Sequence, residues 1–137
     1  MSAQKILVVD DNPVVVKALQ IKLAEAGYVA FAALDASEAI AAVRKEQPDL
    51  IVLDLNFPPD IGGVDWDGFR LMQWLQRLDG ARRIPVIIIT GHDSQQNRKR
   101  AIELGATAFF PKPVNHVALV AIIRETLTAP APAATPA

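Results

Sequence analysis

The chain has 137 residues, 51% of them hydrophobic, and a formal net charge of −1. That is enough for one domain with a sizeable core, and it is too apolar for a disordered chain. The charge balance gives no global attraction to nucleic acid or anionic lipid, and the lack of cysteine excludes disulfides and thiolate metal sites.

The first apolar run, KILVV, predicts a strand near residues 5–10. MSAQK precedes it without the apolar region of a signal peptide, and no later run approaches the ~18 apolar residues of a membrane helix. A cytoplasmic location without membrane contact is expected. Asn12 can cap a helix over 13–26 with Pro13 at its first position. Val15, Ala18, Leu19 and Leu23 recur there at helical spacing, and Gly27 can close the end in a left-handed turn. A second strand is expected near 28–33, then a helix over 36–46. Asp35 and Glu38 give that helix a D-x-x-E start resembling a capping box, and Pro48 ends it.

PDLIVL supplies a strand near 50–54, and a helix over 68–78 follows a long connection. PVIII gives a strand near 85–89, followed by a helix over 94–104 that Gly105 closes. The last strand lies near 107–110, and the last helix over 115–127 is capped by Asn115, with Leu119, Ile122, Ile123 and Leu127 on its apolar stripe. From Thr128 the sequence becomes TAPAPAATPA, a segment with nothing to bury. Residues 4–127 therefore form the domain, and 128–137 a disordered tail or a truncated linker. This βα alternation predicts a single α/β domain, a doubly wound parallel sheet with helices on both faces. The near-continuous apolar runs 6–9, 50–53 and 86–89 read as its central strands.

Four apolar runs end in polar residues: Asp10 and Asp11, Asp54, Thr90, and Lys112. Open α/β sheets place their ligands at the C-terminal ends of the strands. Carboxylates, a hydroxyl and an ammonium gathered there could hold a divalent cation and a phosphoryl group. Mg²⁺ takes oxygen ligands, commonly one or two carboxylates. A carboxylate such as Asp54 can also act as a nucleophile and form an aspartyl phosphate. Lys112 lies between two prolines, and the proline after it raises the chance of a cis bond. Taken singly, each residue has an ordinary explanation: turn acids, a β-branched strand end, a solvated lysine. The order of the whole set is what carries the reading.

That set, in VVDDNP (8–13), PDLIVLDLNFP (48–58), DGF (67–69), IPVIIITG (84–91) and LGATAFFPKPV (104–114), resembles the receiver domain of bacterial two-component response regulators. The resemblance covers about residues 4–127. It implies a flavodoxin-like (βα)5 fold with strand order 2-1-3-4-5. It also implies that Asp54 is the phosphoacceptor, that Asp10 and Asp11 position Mg²⁺ with the Asn56 backbone carbonyl as a further ligand, and that Lys112 pairs with the phosphoryl group. Thr90 would move to hydrogen-bond that group. Phe109 falls where receivers often carry a switch aromatic, and Phe110 is expected to be a core ring. Asn56 and His92 are expected to influence dephosphorylation, although an exposed loop histidine is the plainer reading of His92.

The implied donor is the phosphohistidine of a sensor histidine kinase or phosphotransfer protein. Output would pass through protein contacts, which could include a phosphorylation-dependent dimer, and direct nucleic-acid binding is not expected. The chain would then be a phosphoacceptor that assists its own phosphorylation and dephosphorylation rather than an enzyme. A stand-alone regulator is favoured over a receiver fragment of a larger regulator or hybrid kinase. An aspartate-nucleophile phosphatase would need a second acid where Asn56 stands, and a cap domain. The connection across 56–66 exceeds the ~2–6 residues usual for a βα loop. It reads as a surface insertion or, more sharply, as a device that tunes kinase choice or phosphate lifetime. The run Arg98, Lys99 and Arg100 reads as a solvated helix face or a partner contact.

Overall fold

Five apolar runs pair into one parallel sheet. In the computed structural model, which describes residues 3–55, 68–77, 84–91 and 95–128, these are β1 (Lys5–Val9), β2 (Val29–Ala33), β3 (Leu50–Asp54), β4 (Val86–Thr90) and β5 (Ala108–Pro111). Their order is β2-β1-β3-β4-β5, with every neighbouring pair parallel, as the resemblance implies. The most apolar runs take the inner positions, where both faces are covered. Every residue of β3 and β4 is buried, whereas Val29 on the edge strand β2 is 43% exposed.

The helices are α1 (Pro13–Glu25), α2 (Ala36–Glu46), α3 (Gly68–Gln76), α4 (Gln95–Glu103) and α5 (His116–Thr128). Successive strand residues point to opposite faces, which splits the core in two. Ile6, Val8, Leu50, Val52, Ile87 and Ile89 meet Val16, Leu19 and Leu23 of α1 and Leu119 and Ile123 of α5. Leu7, Val9, Ile51, Leu53 and Ile88 meet α2, α3 and α4 through Ala39, Val43, Leu71, Met72, Leu75 and Ala101.

Local chemistry sets the helix ends. Asn12 Oδ1 accepts from the Val14 N–H at 2.9 Å, with Pro13 at the first helical position, and Gly27 follows α1 at φ 98°. Asp35 Oδ1 accepts from the Glu38 N–H at 2.8 Å. Glu38 does not return a bond to Asp35: its Oε1 accepts from the Leu34 N–H at 2.8 Å, so the brace is displaced one residue upstream of a reciprocal capping box. α2 ends at Gln47, a non-glycine residue at φ 48°, ahead of buried Pro48. Gly105 closes α4 at φ 97°, and Asn115 Oδ1 caps α5 by accepting from the Ala118 N–H at 3.1 Å. Element limits differ from the sequence expectation by one or two residues, the usual scatter of helix ends. The expectations for the 56–66 connection and the Ala/Pro segment beyond Thr128 lie outside the described residues.

Candidate functional site

Parallel register brings the predicted polar residues to one edge. Val9 of β1 lies opposite Leu53 of β3, so the next residues, Asp10 and Asp54, stand at the same level. Asp54 is opposite Ile89, Thr90 is opposite Pro111, and Lys112 follows directly. Backbone bonds fix these ends: Asp10 N–H donates to Ala33 O at 3.1 Å, Leu55 N–H to Ile89 O at 3.2 Å, and Lys112 N–H to Thr90 O at 2.8 Å. The Lys112–Pro113 peptide bond is cis. Among the described residues the buried polar ones are Asp10, Asp54 and Thr90, at 0%, 2% and 0% exposure. Burying such groups is costly unless they are compensated, so their concentration at one strand edge marks a functional site rather than a packing solution.

Lys112 provides the compensating charge. Its Nζ lies 2.7 Å from Asp10 Oδ2 and 3.5 Å from Asp54 Oδ2. Burial alone would lower its pKa, but the contact with Asp10 and the charges of Asp54 and Asp10 together outweigh burial and hold it above the ordinary value of 10.5. Asp10 Oδ1 accepts from the Asn12 N–H at 2.9 Å. Asp10 Oδ2, although close to the ammonium, lacks a partner in hydrogen-bond geometry and is fully buried. A buried carboxylate oxygen that has an ion-pair partner but no hydrogen bond still has lone pairs to offer a metal cation.

The donor set fits Mg²⁺. Asp10, Asp11 and Asp54 each offer an oxygen, and these atoms lie within 4.8 Å of one another. Opposite ligands of an Mg²⁺ octahedron stand roughly 4.2 Å apart, so little closing is needed. The three carboxylates are all hard oxygen ligands, and Asp11 is exposed at the mouth, where waters can complete the shell. The whole predicted set of Asp10, Asp11, Asp54, Thr90 and Lys112 therefore shares one edge. Asn56 and His92 lie outside the described residues.

Phe109 and Phe110 diverge as neighbours in a strand must. Phe110 packs with the α1–α5 core, as expected of a core ring, while Phe109 faces the α4 side. There the Arg98 guanidinium sits 4.9 Å from the centroid of the Phe109 ring. Sequence reasoning missed this pairing; the signal was a cationic helix directly preceding the strand of the aromatic pair. It also missed the Asp10–Asn12 turn bond, although aspartate often accepts from the N–H two residues on. Arg98, Lys99 and Arg100 are exposed, and His116 is a half-buried residue at the start of α5. No described helix is long and apolar enough to cross a membrane.

Comparison with known proteins agrees with the geometry. A family model for the response regulator receiver domain matches residues 6–124. The response regulator PleD of Caulobacter vibrioides is 37% identical over 124 residues, which cover 90% of this chain and 26% of that protein. The chain thus spans about a quarter of the length of that relative. Among solved structures, a CheY-like receiver domain protein from Methanospirillum hungatei superposes with a TM-score of 0.80 at 29% identity, covering 92% of this chain and 94% of that one. The chemotaxis protein CheY4 of Vibrio cholerae gives 0.79 at 26% identity, covering 90% and 98%. With the acidic edge, the sheet order and the family match in agreement, the chain belongs to the response regulator receiver domain family.

Proposed function

We propose that Asp54 is the phosphoacceptor of a phosphorylation-controlled switch. The observation that carries this reading is the position of Asp54, buried at the end of β3, 3.5 Å from the Lys112 ammonium and within one acidic cluster with Asp10 and Asp11. An Asp54 carboxylate oxygen attacks the phosphorus of a phosphohistidine on a sensor kinase or phosphotransfer protein. A P–O bond forms, the P–N bond breaks, and the departing imidazole nitrogen takes the electron pair and then a proton. Mg²⁺, when bound by Asp10, Asp11 and Asp54, supplies the positive charge that lets two anions approach. The Asn56 carbonyl would be a further ligand, as the family resemblance implies. Lys112 turns its ammonium from the carboxylates to the incoming phosphoryl oxygens, and the Thr90 hydroxyl donates to one of them. Thr90 ends β4 and Lys112 directly follows the adjacent strand β5, so their movement repacks α4, β5 and α5 and biases an existing equilibrium.

Intact mass after incubation with acetyl phosphate and Mg²⁺ tests this. One added phosphoryl group is expected in the wild type and none in Asp54→Asn or with EDTA. No gain in the wild type would remove the phosphoacceptor role. A second reading concerns output. The greater length of PleD favours a receiver that works through an attached domain over a stand-alone protein signalling by contact. Reading the coding DNA beyond Ala137 distinguishes the two.

A further inference from the structure

We infer that Arg98 is a latch on Phe109: it holds the ring in its half-buried position beneath the guanidinium and so sets how readily the domain takes up a phosphoryl group. The second half of this statement rests on the phosphoacceptor reading above.

Phe109 sits in β5 opposite Ile88, two residues before Pro111, which faces Thr90. Any shift of Thr90 toward a phosphoryl group therefore changes the space beside this ring. The ring is half-buried and packs against the core cluster that holds Ile88 and Ala101. Its other neighbour is the Arg98 guanidinium, 4.9 Å from the centroid. A cation over a ring face favours one ring position, and an inward rotation forfeits the contact. At an exposed site such a contact changes a two-state population about two- to fivefold. The effect belongs to one residue of the basic run. Lys99 and Arg100 point roughly 100° and 200° further round the helix and cannot cover the same ring.

Charge acts in the opposite direction. Removing a cation weakens attraction of an anionic donor, so a lost charge slows phosphorylation while a lost latch speeds it. Lys99→Met removes the same charge without touching the stack. Acetyl phosphate and Mg²⁺ are expected to label Arg98→Met about two- to fivefold faster than the wild type, and Lys99→Met no faster. Equal or slower labelling of Arg98→Met overturns the latch, as does equal acceleration by Lys99→Met.

A fluorine reporter reads the ring itself. In protein labelled with 4-fluorophenylalanine, with Phe109→Leu assigning the resonance, the H₂O/D₂O solvent shift of Phe109 should fall in Arg98→Met as the ring turns inward. A ring that stays in place and is merely uncovered gives a larger shift and overturns the proposal. If even the wild type takes up no phosphoryl group, the phosphoacceptor reading fails, and the fluorine measurement alone decides the latch.

Discussion

Lys112 is one ammonium set against three carboxylates. Its Nζ is in contact with both buried acids, Asp10 and Asp54, so truncation takes the cation from two carboxylates rather than one. Removing one partner of a largely buried pair costs several kcal/mol. Lys112→Met, which keeps the apolar stem, is expected to lower metal-free stability by about 2–4 kcal/mol in urea unfolding. The pH dependence follows from the raised pKa of Lys112. A cation whose pKa is higher in the folded state stabilises fully below its unfolded value and loses that contribution as pH rises through the folded one. The difference between wild type and Lys112→Met should therefore hold steady from neutral pH to about 10.5 and shrink above it. A gap that grows above pH 10.5 would sink this assignment. Two glycines make a second contrast. A Cβ at either Gly27 or Gly91 would meet nothing within 4 Å, but only Gly27 has a left-handed φ, of 98°. Gly27→Ala should cost about 1 kcal/mol, and Gly91→Ala should be neutral or slightly stabilising. Thermal unfolding of the two variants decides.

At the scale of elements, the start of α2 is held by two crossed bonds, Asp35 Oδ1 from Glu38 N–H and Glu38 Oε1 from Leu34 N–H. Asp35→Ala should cost about 1 kcal/mol. Because both bonds brace one turn, adding Glu38→Ala should cost less than the sum of the single changes, which a double-mutant cycle measures. This helix also shows where the sequence was legible and where it was not. Asp35 as the cap could be read, because an N-cap needs only its own side chain and the next turn. The reach of Glu38 to Leu34 could not, since it depends on the path of the chain leaving β2. The same division holds elsewhere. The inner strands and their order followed from unbroken apolar runs and the family resemblance, and Gly27 and Gly105 from the conformation a helix end demands. Gln47 in a left-handed conformation had no such signal, because the sequence read Pro48 as the stop and named no residue for the turn before it. The acidic edge was legible because each of its residues directly follows an apolar run. The Arg98–Phe109 stack was not, because it depends on how α4 lies against β5.

At the scale of the whole molecule, the acidic cluster exists only when the chain is folded. Asp11 and Asp54 are separated in sequence by two helices and a strand, and parallel pairing of β1 with β3 brings them together. A cation that binds this cluster binds the native state alone and stabilises it by mass action, about 2.7 kcal/mol at one hundred times its dissociation constant. Mg²⁺ should thus raise the Tm of the wild type, and Asp10→Asn should lose most of that rise. Lys112 adds a further constraint, because its Nζ lies 2.7 Å from Asp10 Oδ2, the buried oxygen that suits the metal. Ammonium and metal then compete for one carboxylate, and like charges at such range oppose each other by a kcal/mol or more even in a high dielectric. Lys112→Met, the less stable protein without metal, should therefore bind Mg²⁺ about tenfold more tightly than the wild type and recover part of its deficit as Mg²⁺ rises. Calorimetric titration with MgCl₂ and parallel thermal melts measure both quantities. Weaker binding in Lys112→Met would mean that the ammonium organises the carboxylates for the metal rather than competing with it.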